Sequence, residues 1–220
     1  EASRGSVGIP RVLNMYENYP FWFTFFTKLG YQVILSPSST HKIYELGIES
    51  IPSESECYPA KLAHGHVAWL IKQGVDFIFY PSLFYERQEF EAANNHYNCP
   101  IVTSYSENIR NNVDEIGQGQ VTFRNPFMSF KSPDTIKHAL RLEFTNISAK
   151  EIDDAVDAAW LEQENARQDI KDKGEEVLRW MEEHNGRGIV LAGRPYHIDP
   201  EINHGIPEMI NGLGMAVFTE

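Results

Sequence analysis

Short apolar runs alternate with longer segments of helical pattern through roughly the first hundred residues. Apolar, partly β-branched runs predict buried strands at residues 11–16, 31–35, 75–80 and 101–104. Apolar spacing near 3.6 residues, or a Pro and a Gly at the two ends, predicts helices at residues 20–30, 40–46 and 59–73. Alternating strands and helices favour parallel βαβ units, and near-continuous apolar strands are typical of a sheet covered on both faces. We therefore expect a Rossmann-like α/β parallel-sheet domain over residues 1–146.

The pattern then changes to one long amphipathic helix. Ser148 and Glu151 form a capping box, and apolar residues recur at helical spacing through residues 148–185, with Gln163 interrupting them. Such a helix would be about 55 Å long at ~1.5 Å per residue. Helices of this length usually leave one unit and reach the next, so residues 147–186 are predicted to be a connecting helix.

The last part of the chain starts a second α/β unit. Residues 188–192 and 215–219 are predicted strands, and residues 206–213 form a predicted helix between them. A βαβ unit that stops on its second strand is not a finished domain. We therefore interpret residues 187–220 as a partial second unit and expect the chain to be a fragment of a longer protein.

Charge and composition exclude several classes of protein. The 220 residues include 19 Lys and Arg against 31 Asp and Glu, a net charge of −12, which argues against a nucleic-acid partner. Two cysteines are too few for a disulfide scaffold and fit a reducing compartment. No apolar run approaches the ~18 residues of a membrane span, so we expect no membrane partner and a cytoplasmic location.

Cys57 is the first candidate for redox or metal chemistry. It stands two residues before Pro59, at or just before a predicted helix N-terminus, where the helix dipole and free N–H groups favour a thiolate. A thiolate is what metal or iron–sulfur ligation requires. The alternative is a buried, unreactive cysteine.

Cys99 has a stronger structural alternative because it directly precedes the predicted strand at residues 101–104. The two cysteines form no C-x-x-C pair and cannot by themselves complete a four-thiolate cluster. His64 and His66 are two residues apart on a helix and point in different directions, so we expect hydrogen bonding from them, with Gly65 serving close helix packing.

Polar side chains also follow the predicted strand at residues 188–192. Arg194, Tyr196 and His197 lie in the loop after it, and ligands of open α/β sheets bind at the carboxyl ends of strands. These three residues are therefore candidates to bind an anionic or acyl group. The alternative is that Arg194 pairs with the acidic surface. The polar loop predicted at residues 17–20 occupies the equivalent place in the first domain, without a glycine-rich phosphate-binding motif.

Four long segments carry a resemblance to a known family. NMYENYPFWFTFFTKLGYQVILS, SESECYPAKLAHGHVAWLIKQGVDFIFYPS, YNCPIVTSY and LAGRPYHIDPEINHGIPEMINGLG resemble, in order, the 2-hydroxyacyl-CoA dehydratase activase-related proteins. In those large fused proteins, activase-type ATPase modules precede a dehydratase-like region. This chain resembles that second region, which agrees with its lack of an ATPase motif.

The resemblance implies a role in anaerobic, ATP-driven electron transfer to 2-hydroxyacyl-CoA chemistry. It implies a [4Fe-4S] cluster, incomplete in this fragment, with Cys57 as a ligand and Cys99 as a second. The family pattern has a cysteine directly after the strand ending at Tyr80, where this chain has Pro81 and Ser82. The implied partners are an ATPase module of the same chain and an acyl-CoA. Two alternatives stay open: a docking scaffold without the cluster, and a CoA or small-molecule binding domain.

Overall fold

The computed structural model describes residues 2–219, so Glu1 and Glu220 lie outside the described residues. The strands are β1 Ser6–Ile9, β2 Gln32–Leu35, β3 Phe77–Phe79, β4 Ser82–Tyr85, β5 Thr122–Arg124, β6 Phe127–Ser129, β7 Arg187–Leu191 and β8 Met215–Thr219. The helices are α1 Asn14–Lys28, α2 His41–Gly47, α3 Tyr58–Lys72, α4 Pro100–Asn112, α5 Asp114–Gly117, α6 Pro133–Glu143, α7 Ala149–His184, α8 Pro200–Asn203 and α9 Ile206–Gly212. Two 3-10 turns lie at Ile48–Ser50 and Pro195–Ile198.

Four parallel strands form the central sheet in the order β2-β1-β3-β5. The β3–β5 ladder continues past Tyr80, whose N–H donates to the carbonyl of Arg124 at 2.9 Å, into the parallel pair β4–β6. Helices flank this sheet, and the strands β7 and β8 pair in parallel as a separate sheet. The predicted α/β class with a Rossmann-like parallel sheet is confirmed, and the domain boundaries stay predictions.

Two of the predicted strands are wrong. The first strand lies at Ser6–Ile9, upstream of the predicted 11–16, and α1 already begins at Asn14 and continues through Pro20. Its buried positions, which include Asn14, Asn18 and Phe21, follow the helical period across the supposed loop at residues 17–20. Residues 101–104 lie inside α4, because Pro100 opens a helix that buries Val102, Tyr105, Ser106 and Ile109.

The long helix predicted from the pattern is confirmed as α7, and α7 packs against α1. Ser148 and Glu151 form the expected capping box, and Ile152, Val156 and Ala159 are buried. Farther along, α7 is mostly exposed and leads to β7. The first turns of this helix therefore belong to the core, and its role as a connection between two units stays a prediction.

Gln163, which breaks the apolar pattern of α7, forms hydrogen bonds to the backbone of α1. Its side chain is 2% exposed; Oε1 accepts from the backbone N–H of Phe21 at 3.1 Å, and Nε2 donates to the carbonyl of Glu17 at 3.1 Å. In an unbroken helix those two backbone groups bond to each other, but Pro20 lies between them. The glutamine amide occupies the opening in the helix ladder and satisfies both backbone groups.

We predict that Gln163→Leu lowers the free energy of unfolding by about 2–4 kcal/mol, because two buried backbone groups lose their partner at once. Gln168→Leu is the control, since Gln168 is exposed on the same helix and bonds only to Asp172; its effect should stay within about 0.5 kcal/mol. Urea denaturation followed by circular dichroism measures both values. Equal stability of the two variants would contradict the bridging role.

Candidate functional site

Both cysteines lie at helix N-termini on the same edge of the central sheet. Helices α3 and α4 lead into the parallel strands β3 and β5, so each helix starts at the carboxyl edge. Cys57 is the N-cap residue of α3 and Cys99 that of α4. The expectation that Cys99 precedes a strand is wrong, because helix α4 begins at Pro100.

The charge of each cysteine acts on Tyr196. Burial raises the pKa of the Tyr196 hydroxyl, the Arg194 guanidinium lowers it, and charge at Cys99 and at Cys57 raises it. Charge acts strongly only over short distances, so Tyr196 lies near both thiols. Cys57 is exposed and Cys99 half-buried, and both are free thiols. Among residues 2–219, no cluster of three or more His, Cys, Asp or Glu side chains is placed to hold a metal ion.

The other residues predicted after β7 have different surroundings. The turn Pro195–Ile198 packs against α1, so Tyr196 lies against the core of the first unit. Arg194 is exposed and lies near the half-buried carboxyl of Glu86, whose pKa it lowers. His197 is exposed, and its Nδ1 accepts the Arg194 backbone N–H at 3.3 Å within the same turn. The three predicted residues therefore do not share one site. Tyr196 is affected by the charge of the cysteines, Arg194 by that of Glu86, and His197 bonds only within its own turn.

Asp199 anchors this segment of the second unit through a buried hydrogen-bond network. Ser39 Oγ donates to Asp199 Oδ2 at 2.5 Å, and Asp199 is 1% exposed. Because the Ser39 proton goes to Asp199, the Ser39 oxygen accepts from Nε2–H of His66 at 2.9 Å. Nδ1 of His66 then accepts from the Ser36 hydroxyl at 2.7 Å. Tyr58 adds a second contact by donating to Glu201 at 2.8 Å.

His64 forms a similar network in α3, the helix that begins after Cys57. Ser50 donates its proton to the Gly47 carbonyl at 2.9 Å and therefore accepts from Nδ1–H of His64 at 2.7 Å. Nε2 of His64 accepts from the Tyr105 hydroxyl at 3.0 Å. Burial raises the pKa of Tyr105, and charge at Glu56 and at Cys57 raises it further, so this hydroxyl stays protonated beside the thiol.

The hydrogen-bonding role expected of His64 and His66 is confirmed. So is the packing role of Gly65, where a Cβ would collide with the Ile43 carbonyl of α2.

Two half-buried carboxyls, those of Glu86 and Glu17, lie beside Asn98 and in α1. Glu86 accepts from Asn98, the neighbour of Cys99, at 2.8 Å, and burial raises its pKa. Burial and then the charge of Glu86 raise the pKa of Glu17 to about 7, although Arg167 donates to Glu17 at 2.7 Å. Neutral pH therefore leaves Glu17 partly protonated.

The comparisons identify the family. The family model described as CoA enzyme activase uncharacterised domain (DUF2229) matches residues 6–220. The chain belongs to this family. No curated protein and no solved structure matches it. Across residues 2–219, the helices of this CoA enzyme activase domain are too short or too polar to cross a membrane.

Several polar residues at the carboxyl edge of the activase domain's sheet were not predicted from the sequence. Asn14 and Asn18 were detectable, because they are polar residues at core-facing positions of an amphipathic helix once α1 is recognised as helical there. Glu86 carries no sequence signal, because its environment is formed by Asn98 and by Asn18 of α1, which are distant from it in sequence.

The two histidines should make the stability of the activase domain depend on pH. Burial lowers the pKa of His64 to about 4, and burial with a smaller effect of Arg11 lowers that of His66 to about 3. In the unfolded chain a histidine has a pKa of about 6.5. As the pH falls below about 6.5, the unfolded state binds protons that the folded state does not, so the free energy of unfolding falls. The slope is about 1.4 kcal/mol per pH unit for each histidine.

We predict that His66→Gln removes about half of this histidine-dependent slope between roughly pH 4 and 6.5. His138→Gln is the control, because His138 is exposed on α6, and it should leave the slope unchanged. Urea denaturation at several pH values measures the slope. A wild-type slope retained in His66→Gln would show that His66 does not cause it.

Proposed function

We propose that this domain contributes two thiolate ligands, Cys57 and Cys99, to a [4Fe-4S] cluster in an electron-transfer protein that acts on acyl-CoA chemistry. The observation that carries the proposal is the placement of both free thiols at helix N-termini near Tyr196, on one edge of the sheet. Helix N-termini favour negative charge, which a thiolate ligand and an anionic cluster both bear.

The residues present fit half of the donor set of such a cluster. Four thiolates hold a [4Fe-4S] cluster, and residues 2–219 supply two. Ser82, two residues after Tyr80, is buried and bonds to Ser106, so its hydroxyl is used within the protein. The remaining ligands would come from another part of the full-length protein or from a partner.

The surrounding tyrosines would protect and orient such a group. A bound cluster would supply one-electron transfer. Burial raises the pKa of Tyr80 and of Tyr105, so both hydroxyls stay protonated and keep their capacity to donate hydrogen bonds. Tyr196, which comes from the segment after β7, packs against the core of the first unit.

The family description supports a partner in enzyme activation. Under this proposal, an activase-type ATPase supplies electrons and an acyl-CoA system receives them. The net charge of −12 disfavours nucleic acid as a partner.

The test is anaerobic reconstitution of the full-length protein with iron and sulfide. Wild type should take up iron and sulfide and show the visible absorption of a thiolate-held cluster, because its thiols are free. Cys57→Ser and Cys99→Ser should each lower the iron content severalfold, because each variant removes one ligand. Ser55→Ala, in the exposed loop before Cys57, is the control and should bind iron as wild type does.

Two outcomes would contradict the cluster proposal: wild type that takes up no iron, or a double cysteine variant that takes up as much as wild type. Retained binding of the ATPase module without iron would favour the docking scaffold. Circular dichroism of each variant separates loss of a ligand from loss of the fold.

A further inference from the structure

The outer side of β5 and β6 is a free edge of the sheet. The two strands follow each other closely over residues 122–129, and each pairs inward, β5 with β3 and β6 with β4. Within residues 2–219, no strand pairs with the outer side of either. Such an edge presents a row of backbone N–H and C=O groups to which another extended chain can bond.

The hydrogen bonds of this edge show which residues face outward. The carbonyls of Arg124 and Pro126 accept backbone N–H groups from the inner side of the edge, at 2.9 and 3.0 Å. Successive residues of a strand bond to opposite sides, so the backbone groups of Phe123, Asn125 and Phe127 face outward. A proline on a free edge usually removes an outward donor and so discourages pairing. Here the proline faces inward, and the outward row of donors is complete.

A groove of about 410 Å³ follows this edge. It is lined by residues 122–126, by Arg110 of α4 and by Glu143 of α6. Arg124 is already engaged, because its Nη1 donates to Glu143 at 2.8 Å. Arg110 is exposed, and its two contacts are long, at 3.5 and 4.0 Å. Arg110 is therefore the cation of the groove that can turn to a carboxylate of a ligand.

Exposed aromatic rings lie at the far end of the same edge. Phe127 is 69% exposed and stacks on Phe84, with ring centroids 4.9 Å apart. Tyr97, also exposed, lies 6.5 Å from the Phe84 ring. Phe127 shares one face of the strand with Asn125, two residues before it, and Asn125 is the residue that Arg110 contacts. A strand laid along this edge therefore meets Arg110 and the aromatic rings on one of its faces.

We propose that the edge of β5 and β6 binds an extended segment of a partner protein as an added strand. The alternating N–H and C=O groups of another backbone are the complement of the outward row. On the face that meets Phe127 and Arg110, the segment presents an aromatic or large aliphatic residue and, two positions away, Asp or Glu. Arg110 lies in the last turn of α4, at the opposite end from Cys99, so this docking does not depend on an iron–sulfur cluster.

The test uses the full-length protein and a fluorescein-labelled peptide, Thr-Phe-Thr-Glu-Thr-Val-Thr, with blocked ends. Fluorescence anisotropy should show saturable binding to wild type. Two further peptides carry N-methyl groups on alternate amides, one on the threonines and the other on the remaining residues. Methylation of the set that faces the edge should abolish binding, because it removes the donors of the ladder, and methylation of the other set should leave it nearly unchanged.

Charge reversal tests the side-chain contact. Arg110→Glu should weaken binding about fivefold or more, because repulsion replaces attraction, and a peptide with Lys in place of Glu should restore most of the loss. Lys42→Glu makes the same change of charge on α2, which follows the opposite edge strand β2, and should bind as wild type does. Phe127→Ser should also weaken binding. Arg110 and Phe127 are exposed, so these variants should fold.

Hydrogen exchange supplies a readout of the backbone itself. Without peptide, the segment 122–129 should exchange its outward amides quickly, and bound peptide should slow that exchange. The iron content of Arg110→Glu should equal that of wild type after reconstitution, which separates this proposal from the cluster proposal.

Three results would overturn the added strand. The first is that wild type binds none of the peptides, which would mean that the full-length protein covers the edge itself. The second is that both methylated peptides bind as well as the parent, or that Arg110→Glu does not change the affinity. The third is a dimer that Phe127→Ser dissociates, which would assign the edge to a second copy of the chain.

Discussion

The contact between α7 and α1 is the interaction on which the arrangement of the two units depends. Pro20 interrupts the hydrogen-bond ladder of α1, and the Gln163 amide of α7 bonds to the two backbone groups beside the interruption. A buried amide with both atoms satisfied tolerates little displacement along or around the helix, because any shift unpairs backbone groups in the core. This bond fixes the register of α7 on the first unit. Since β7 follows α7 directly, it also restricts where the second unit can lie.

A second constraint, the common direction of the sheet strands, decides which side chains meet. Parallel pairing brings the carboxyl ends of β1, β2 and β3 to one edge, and it makes the connecting helices begin there. Cys57 and Cys99 both lie at that edge for this reason, although 42 positions separate them in the sequence. Tyr196 and Asp199 arrive from the second unit, and the Ser39–Asp199 hydrogen bond holds them in place.

Sequence pattern predicted the long helix from its period, but it was right for only some of the short apolar runs. The strands near Gln32–Leu35 and Phe77–Phe79 were found because Gly30 and Gly74, both at positive φ, end the helices that precede them. A run of four to six apolar residues fits a strand and a helical turn equally well, so residues 11–16 and 101–104 were assigned wrongly. The second error also concerned Cys99, which was expected before a strand. It precedes helix α4 and therefore lies at the carboxyl edge of the sheet, where the helices begin. The bridging role of Gln163 could not be predicted, since it depends on where Pro20 lies in a helix distant in sequence.

The polar groups of the carboxyl edge divide into those with hydrogen-bond partners and those without. The networks of His64 and His66 are fully paired, and such networks hold a unique geometry. Among residues 2–219, Asn14 has a partner for neither amide atom, and it follows the strained Leu13, so this turn lowers the stability of the fold. The stability of this edge therefore comes from the histidine networks and not from the turn that begins α1.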